Sequence, residues 1–262
     1  MKYDRILREL KEITVTRGRD KSGTSEEEDI VFKAGELSAL LGPTGSGKSR
    51  FLSDIESLAN GDTPTGRRLL INGLQPDADE RFAFQGRLVA QLTQNMNFVL
   101  DMKVANFIRT HAESRGAPDP VEAASRVLDA ANRLAGEPFG PEDQITQLSG
   151  GQSRALMISD TALLSRSPVI LIDEIENAGV DKRSALDLLI KTDKIVVIAT
   201  HDPVLALSAD RRLVFRNGGV KKIDRRSQYE ETILQELLDV ELKFSRIRNS
   251  LRLGASLSEN RD

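Results

Sequence analysis

Eight consecutive residues constrain this chain more than any others: Gly42-Pro43-Thr44-Gly45-Ser46-Gly47-Lys48-Ser49. They satisfy the spacing G-x-x-x-x-G-K-[S/T], with the apolar run Glu36–Leu41 before them and a helical pattern to about Asn60 behind them. A strand feeding a helix through a glycine turn belongs to α/β architecture. The glycines let backbone N–H groups turn inward, and the helix starting near Gly47 points its positive end at the same place. A phosphate is the natural occupant. Lys48 is then placed to neutralise it, Ser49 to offer Mg2+ a hydroxyl, and Arg50 follows in the same turn.

The rest of the chain fits around that loop. A first strand, Ile13–Arg19, leads into a polar hairpin loop, Asp20–Asp29, and Gly66–Gly73 alternates like a short strand closed by an Asn-Gly turn. Arg87–Thr93 reads as another strand. Positions 95–166 turn helical, and strand-like runs return at Val169–Ile172 and Ile195–Ala199, with a helix at Lys182–Lys191 between them. A hairpin about Asn217-Gly218-Gly219 closes the pattern. Buried strands alternating with helices predict a mainly parallel sheet, an antiparallel β part near the N-terminus and an inserted helical block.

Composition narrows the chemistry. The 262 residues contain no Cys, which excludes disulfides and thiolate metal sites, and only two His, too few for an imidazole metal cluster. A net charge of −3 supplies no global attraction for nucleic acid, so no direct nucleic-acid binding is expected. The N-terminal residues lack a signal-peptide core, and no stretch is apolar enough to span a bilayer. The expectation is a cytoplasmic protein, brought to a membrane only through a partner. Near the C-terminus Ile233, Leu237, Val240, Phe244, Ile247 and Leu251 form a narrow helical stripe. Packing on its own domain is the favoured reading, and a partner contact is the alternative.

Two further segments carry chemistry. The run Val169–Ile172 ends in Asp173 and Glu174, whose side chains fall on opposite faces of a strand. Asp173 can serve the Mg2+ shell while Glu174 polarises an attacking water. Leu148-Ser149-Gly150-Gly151-Gln152 places small residues at a second helix start, a second anion-binding terminus.

With this last segment the chain resembles the ATP-binding cassette (ABC) family, whose signature is LSGGQ. The resemblance implies a P-loop NTPase (RecA-like) core, ATP and Mg2+ as ligands, and a head-to-tail dimer, either homodimeric or with a paralogous subunit. In such a dimer Ser149, Gly150, Gly151 and Gln152 of one subunit close over ATP held by the other. It also implies that Gln94 stands in the Q-loop, touching Mg2+ and the lytic water, that Asp181 stands in the D-loop, and that His201 senses the γ-phosphate. His111, without a partner motif, reads as a surface residue. The implied organisation is a cassette over 1–225, with its core at about 1–94 and 166–225 and the helical subdomain at about 95–165. A helical tail follows over 226–262.

Three departures stand out. No aromatic precedes the P-loop where the family stacks adenine; Arg17 or Arg19 is the candidate substitute. Asp181 follows Glu174 by seven residues instead of six, and only Arg154 remains of the Arg positions common on the signature helix. The function implied is the ATP-hydrolysing subunit of a transporter whose membrane-spanning subunit is separate. The alternative is a soluble cassette ATPase that remodels a protein, a cofactor enzyme or a nucleic acid.

Overall fold

The structure is a computed structural model that describes residues 2–93, 98, 100–173, 180–252 and 254. It opens with a helix, α1 (Lys2–Arg8), followed by strands β1 (Glu12–Val15), β2 (Ile30–Lys33) and β3 (Leu37–Leu41). Next come α2 (Lys48–Glu56), β4 (Leu69–Ile71), α3 (Ala78–Phe84) and β5 (Val89–Leu92). Three helices are inserted there: α4 (Val104–Ser114), α5 (Pro120–Leu134) and α6 (Gly150–Leu163). The chain then returns to β6 (Val169–Asp173), α7 (Lys182–Ile190), β7 (Ile195–Ala199) and α8 (Pro203–Ser208), and closes with β8 (Arg211–Arg216), β9 (Gly219–Arg225) and α9 (Gln228–Arg252).

Strands β2, β1 and β4 form a small antiparallel sheet, and a second sheet runs in the order β5-β6-β7-β3-β8-β9. Within the larger sheet only the β8–β9 pair is antiparallel. The fold is thus the expected α/β one, with a mainly parallel sheet, an antiparallel N-terminal part and an inserted helical block. Side-chain alternation builds two cores from one sheet. Ile170, Ile172, Val196 and Ile198 join Val127, Ala131 and Leu156 of the inserted helices. Their neighbours Val169, Leu171, Ile195 and Val197 join Phe51 and Ile55 of α2 and the small sheet on the other face.

Three helices were not anticipated: α1, α3 and the short α8, which Asp202 caps through the N–H groups of Val204 and Leu205. The α3 start carries a capping box, Asp77 with Glu80, a signal legible in the sequence. By contrast α1 is a charged segment held by tertiary contacts, with Tyr3 edge-on to Phe84 at 5.9 Å. The tail stripe needs correction. Leu234 and Leu238, one position round from it, are the buried residues, packed on Val204 of α8, while Val240, Phe244 and Leu251 are exposed. The reason is length: a helix of 25 residues spans about 37 Å, and the six residues of α8 support only its start. His111 also departs from expectation. Half-buried, it sets Nδ1 3.1 Å from the Asp160 carboxylate and its ring 4.3 Å from that of Phe107.

Candidate functional site

The glycine loop leaves β3 at the C-terminal edge of the parallel sheet and enters α2. Positive φ angles at Gly42 (143°), Gly45 (77°) and Gly47 (111°) make the curl. A side chain at Gly42 would strike the Phe215 carbonyl at 2.5 Å, and one at Gly47 would strike Cα of Gly218 at 2.7 Å, whereas Gly45 faces open space. The loop is therefore pressed from behind and open in front. Pro43, Thr44 and Gly45 are exposed, as are Ser49 and Arg50 on the first turn of α2. Ser46 is buried, and its hydroxyl is an orphan without a hydrogen-bond partner among the described residues.

Lys48 folds back over this cradle. Its ammonium donates to the carbonyl of Gly42 at 2.5 Å and lies 3.3 Å from Nε2 of His201. That distance is set by the sheet: β7 is the direct neighbour of β3, with Leu40 opposite Ala199, so His201, two residues past Ala199, emerges beside the loop. Asp173, the last residue of β6, pairs in register with Ala199 on the other side of β7. Loop, acid and histidine thus converge from three adjoining strands. Glu174 and Gln94 lie outside the described residues.

The other predicted residues sit elsewhere. Ser149 caps α6, accepting from the N–H of Gln152 at 3.3 Å while the Gln152 side chain accepts from the N–H of Ser149 at 2.9 Å. This capping box holds an exposed Ser149-Gly150 turn rigid. No hydrogen bond or ion pair between described residues joins that turn to Gly42–Arg50. Asp181 caps α7 through the N–H of Ser184 at 2.8 Å. Arg17 is held by Asp29 at 3.4 Å, while the Arg19 side chain makes no hydrogen bond or ion pair with a described residue.

Several supporting residues gave no sequence signal. Lys21, from the β1–β2 connection, donates to the carbonyl of Gly45 at 2.8 Å, and the N–H of Gly218 donates to that of Ser46 at 2.7 Å. Under the loop, Arg67 binds Glu26 and Asp54 at 2.5 and 3.1 Å, all three buried. Lys182 pairs with Asp202, next to His201, and approaches Glu241 of α9 at 3.9 Å. Nothing local marks these residues, because their partners are far away in the chain.

A glycine cradle at the C-terminal edge of a parallel sheet, with an acid and a histidine delivered by adjoining strands, is the architecture of a P-loop ATPase core. Residues 27–177 match the profile of the ABC transporter family. An uncharacterized ABC transporter ATP-binding protein of Methanocaldococcus jannaschii is 48% identical over 251 residues, which cover 95% of this chain and 96% of that one. In fold the chain is similar to cbiO1 of Clostridium perfringens, part of the ABC transporter complex cbiONQ (TM-score 0.63, 20% identity, 93% of this chain and 100% of the other). It is also similar to a bacterial ABC transporter cassette solved as a dimer (TM-score 0.59, 25% identity, 82% and 99%). The chain belongs to the ABC transporter family, as an ATP-binding, ATP-hydrolysing subunit.

Proposed function

We propose that two copies of this chain associate head to tail, the Ser149–Gln152 turn of each completing the nucleotide site at Gly42–Arg50 of the other. One observation carries this reading. Both phosphate-type binding elements are preformed and exposed, yet no hydrogen bond or ion pair between described residues joins them. A second copy supplies what a single chain lacks.

The residues present fit the ligands. An orphan hydroxyl at Ser46, an open face at Gly45 and an ammonium resting on a loop carbonyl all suit a polyphosphate chain. The Ser49 hydroxyl and the Asp173 carboxylate are hard oxygen donors, the type Mg2+ prefers alongside phosphate oxygens. Bound MgATP supplies the phosphoryl group whose transfer to water drives the cycle. Lys48 would turn from Gly42 to the β- and γ-phosphates, Glu174 would orient the water, and Gln94 would tie the helical block to Mg2+. His201 reads the γ-phosphate from the end of β7, while Asp181 faces the partner copy.

Core and helical block correspond to about 1–94 with 166–225 and to about 95–165, the tail being 226–262. No described helix is long and apolar enough to cross a membrane, and we assign the transport path to a separate membrane-spanning subunit, with this chain on its cytoplasmic face. Glu174→Gln tests the proposal. In MgATP it should elute as a dimer with turnover reduced at least about a hundredfold, whereas Lys48→Ala should stay monomeric and bind ATP poorly. A Glu174→Gln protein that binds ATP and remains monomeric overturns the head-to-tail arrangement. Mild-detergent copurification with that variant should bring down a multi-spanning protein. Recovery of only a soluble complex would favour remodelling over transport.

A further inference from the structure

At the opposite end of the parallel strands, where β5, β6 and β7 begin, lies a cleft of about 840 Å³. The length of β6, about 15 Å, separates it from Asp173. Arg8, Arg87, Arg115, Arg166 and Lys194 line it, and Asp193 is the one carboxylate among the described lining residues. A chain with a net charge of −3 has concentrated five cations in one concavity.

Helix ends explain part of this. Lys194 donates to the carbonyls of Ser165 (2.6 Å) and Thr161 (3.3 Å) at the end of α6, and Arg166 donates to the carbonyl of Gly116 just past α4. Each helix C-terminus carries about half a negative charge. The ends of α1, α4 and α6 together with Asp193 offset about 2.5 positive charges, fewer than the four that Arg8, Arg115, Arg166 and Lys194 bring. Arg8, Arg115 and Arg166 form no ion pair with any described residue. Burial first, and the positive charge of Arg115 second, lower the Lys194 pKa to about 8. Two of its three N–H donors meet carbonyls, which leaves the third for a ligand.

We propose that this cleft binds a phosphate-class oxyanion, carried by a soluble phosphate compound or by a lipid headgroup, with Lys194, Arg115 and Arg166 as its ligands. The oxyanion neutralises charge that the fold leaves unbalanced, and guanidinium forks suit its geometry. The site is separate from the nucleotide cradle.

Pyrophosphate titrated calorimetrically into the Lys48→Ala protein, whose P-loop is disabled, should still bind. Adding Arg115→Gln and Arg166→Gln should weaken binding about tenfold or more, since charge-assisted bonds are lost, while the circular dichroism spectrum stays unchanged. Cosedimentation with phosphatidylcholine vesicles containing phosphatidylglycerol separates the sources. Binding to vesicles but not to pyrophosphate, lost in the Gln variants, assigns the headgroup; binding to pyrophosphate alone assigns a soluble ligand. Pyrophosphate and vesicle binding both indifferent to the two substitutions, or pyrophosphate binding abolished by Lys48→Ala with no vesicle binding, overturns the proposal.

Discussion

Arg67 has the largest of the fully buried side chains. Its guanidinium spans Glu26, Asp54 and the Gly218 carbonyl and lies 5.0 Å over the Phe51 ring. Glu26 in turn accepts the N–H groups of Gly18 and Val220, so one ion cluster ties four segments together beneath the P-loop. Replacing Arg67 with Met should strand two buried carboxylates, at a cost of about 3–5 kcal/mol; urea denaturation will measure it. Burial raises the Glu26 pKa, but the Arg67 hydrogen bond, the Val220 N–H and the Arg67 charge outweigh it and hold the carboxyl below its ordinary 4.5. The sign follows: this stabilisation is present above pH 4.5 and is lost as pH falls through the lower folded value. Glu26→Gln should therefore flatten the acid limb of the stability profile. Of the two arginines at the missing aromatic position, Arg17 is engaged by Asp29, which leaves Arg19 to meet the base. Arg19→Ala should weaken ATP binding by about 0.5–2 kcal/mol, and Arg17→Ala far less, as read by fluorescent-nucleotide competition.

At the scale of elements, the P-loop owes its shape to the β8–β9 turn behind it. Gly47, at φ 111°, lies against Gly218, so a methyl group at Gly47 both strains the backbone and pushes the turn away. Gly47→Ala should abolish ATP binding while leaving the far-UV spectrum intact. The tail obeys a different rule, because Leu234 and Leu238 anchor it to α8. Leu238→Ala should remove about 2 kcal/mol of local stability. Hydrogen exchange should then accelerate across Gln228–Arg252 and remain slow in β6 and β7. Where the sequence carried local chemistry these elements were legible: the G-x-x-x-x-G-K-S turn, the Ser149–Gln152 box and the Asn217-Gly218 hairpin. The missed α1 and the misplaced face of α9 depend on Phe84 and Val204, partners outside any local window.

Across the whole molecule a single sheet serves two cores, and Leu171 is wholly buried in the one beneath α2. Leu171→Ala should cost about 2–5 kcal/mol. If the two cores unfold together, circular dichroism and the exchange of α5 amides will shift to the same extent. By itself the sequence determined the α/β class and the family and marked the candidate residues of the nucleotide site, because strand period, glycine freedom and capping chemistry act within a few residues. Only the tertiary structure decided that Lys48 meets His201, that Arg67 joins Glu26 to Asp54, and that five scattered cations share one cleft. Strand order sets those juxtapositions, and strand order is fixed by packing between segments as distant as β3 and β8, whose Ser38 and Arg211 are 173 positions apart, for which a linear pattern holds no measure of distance.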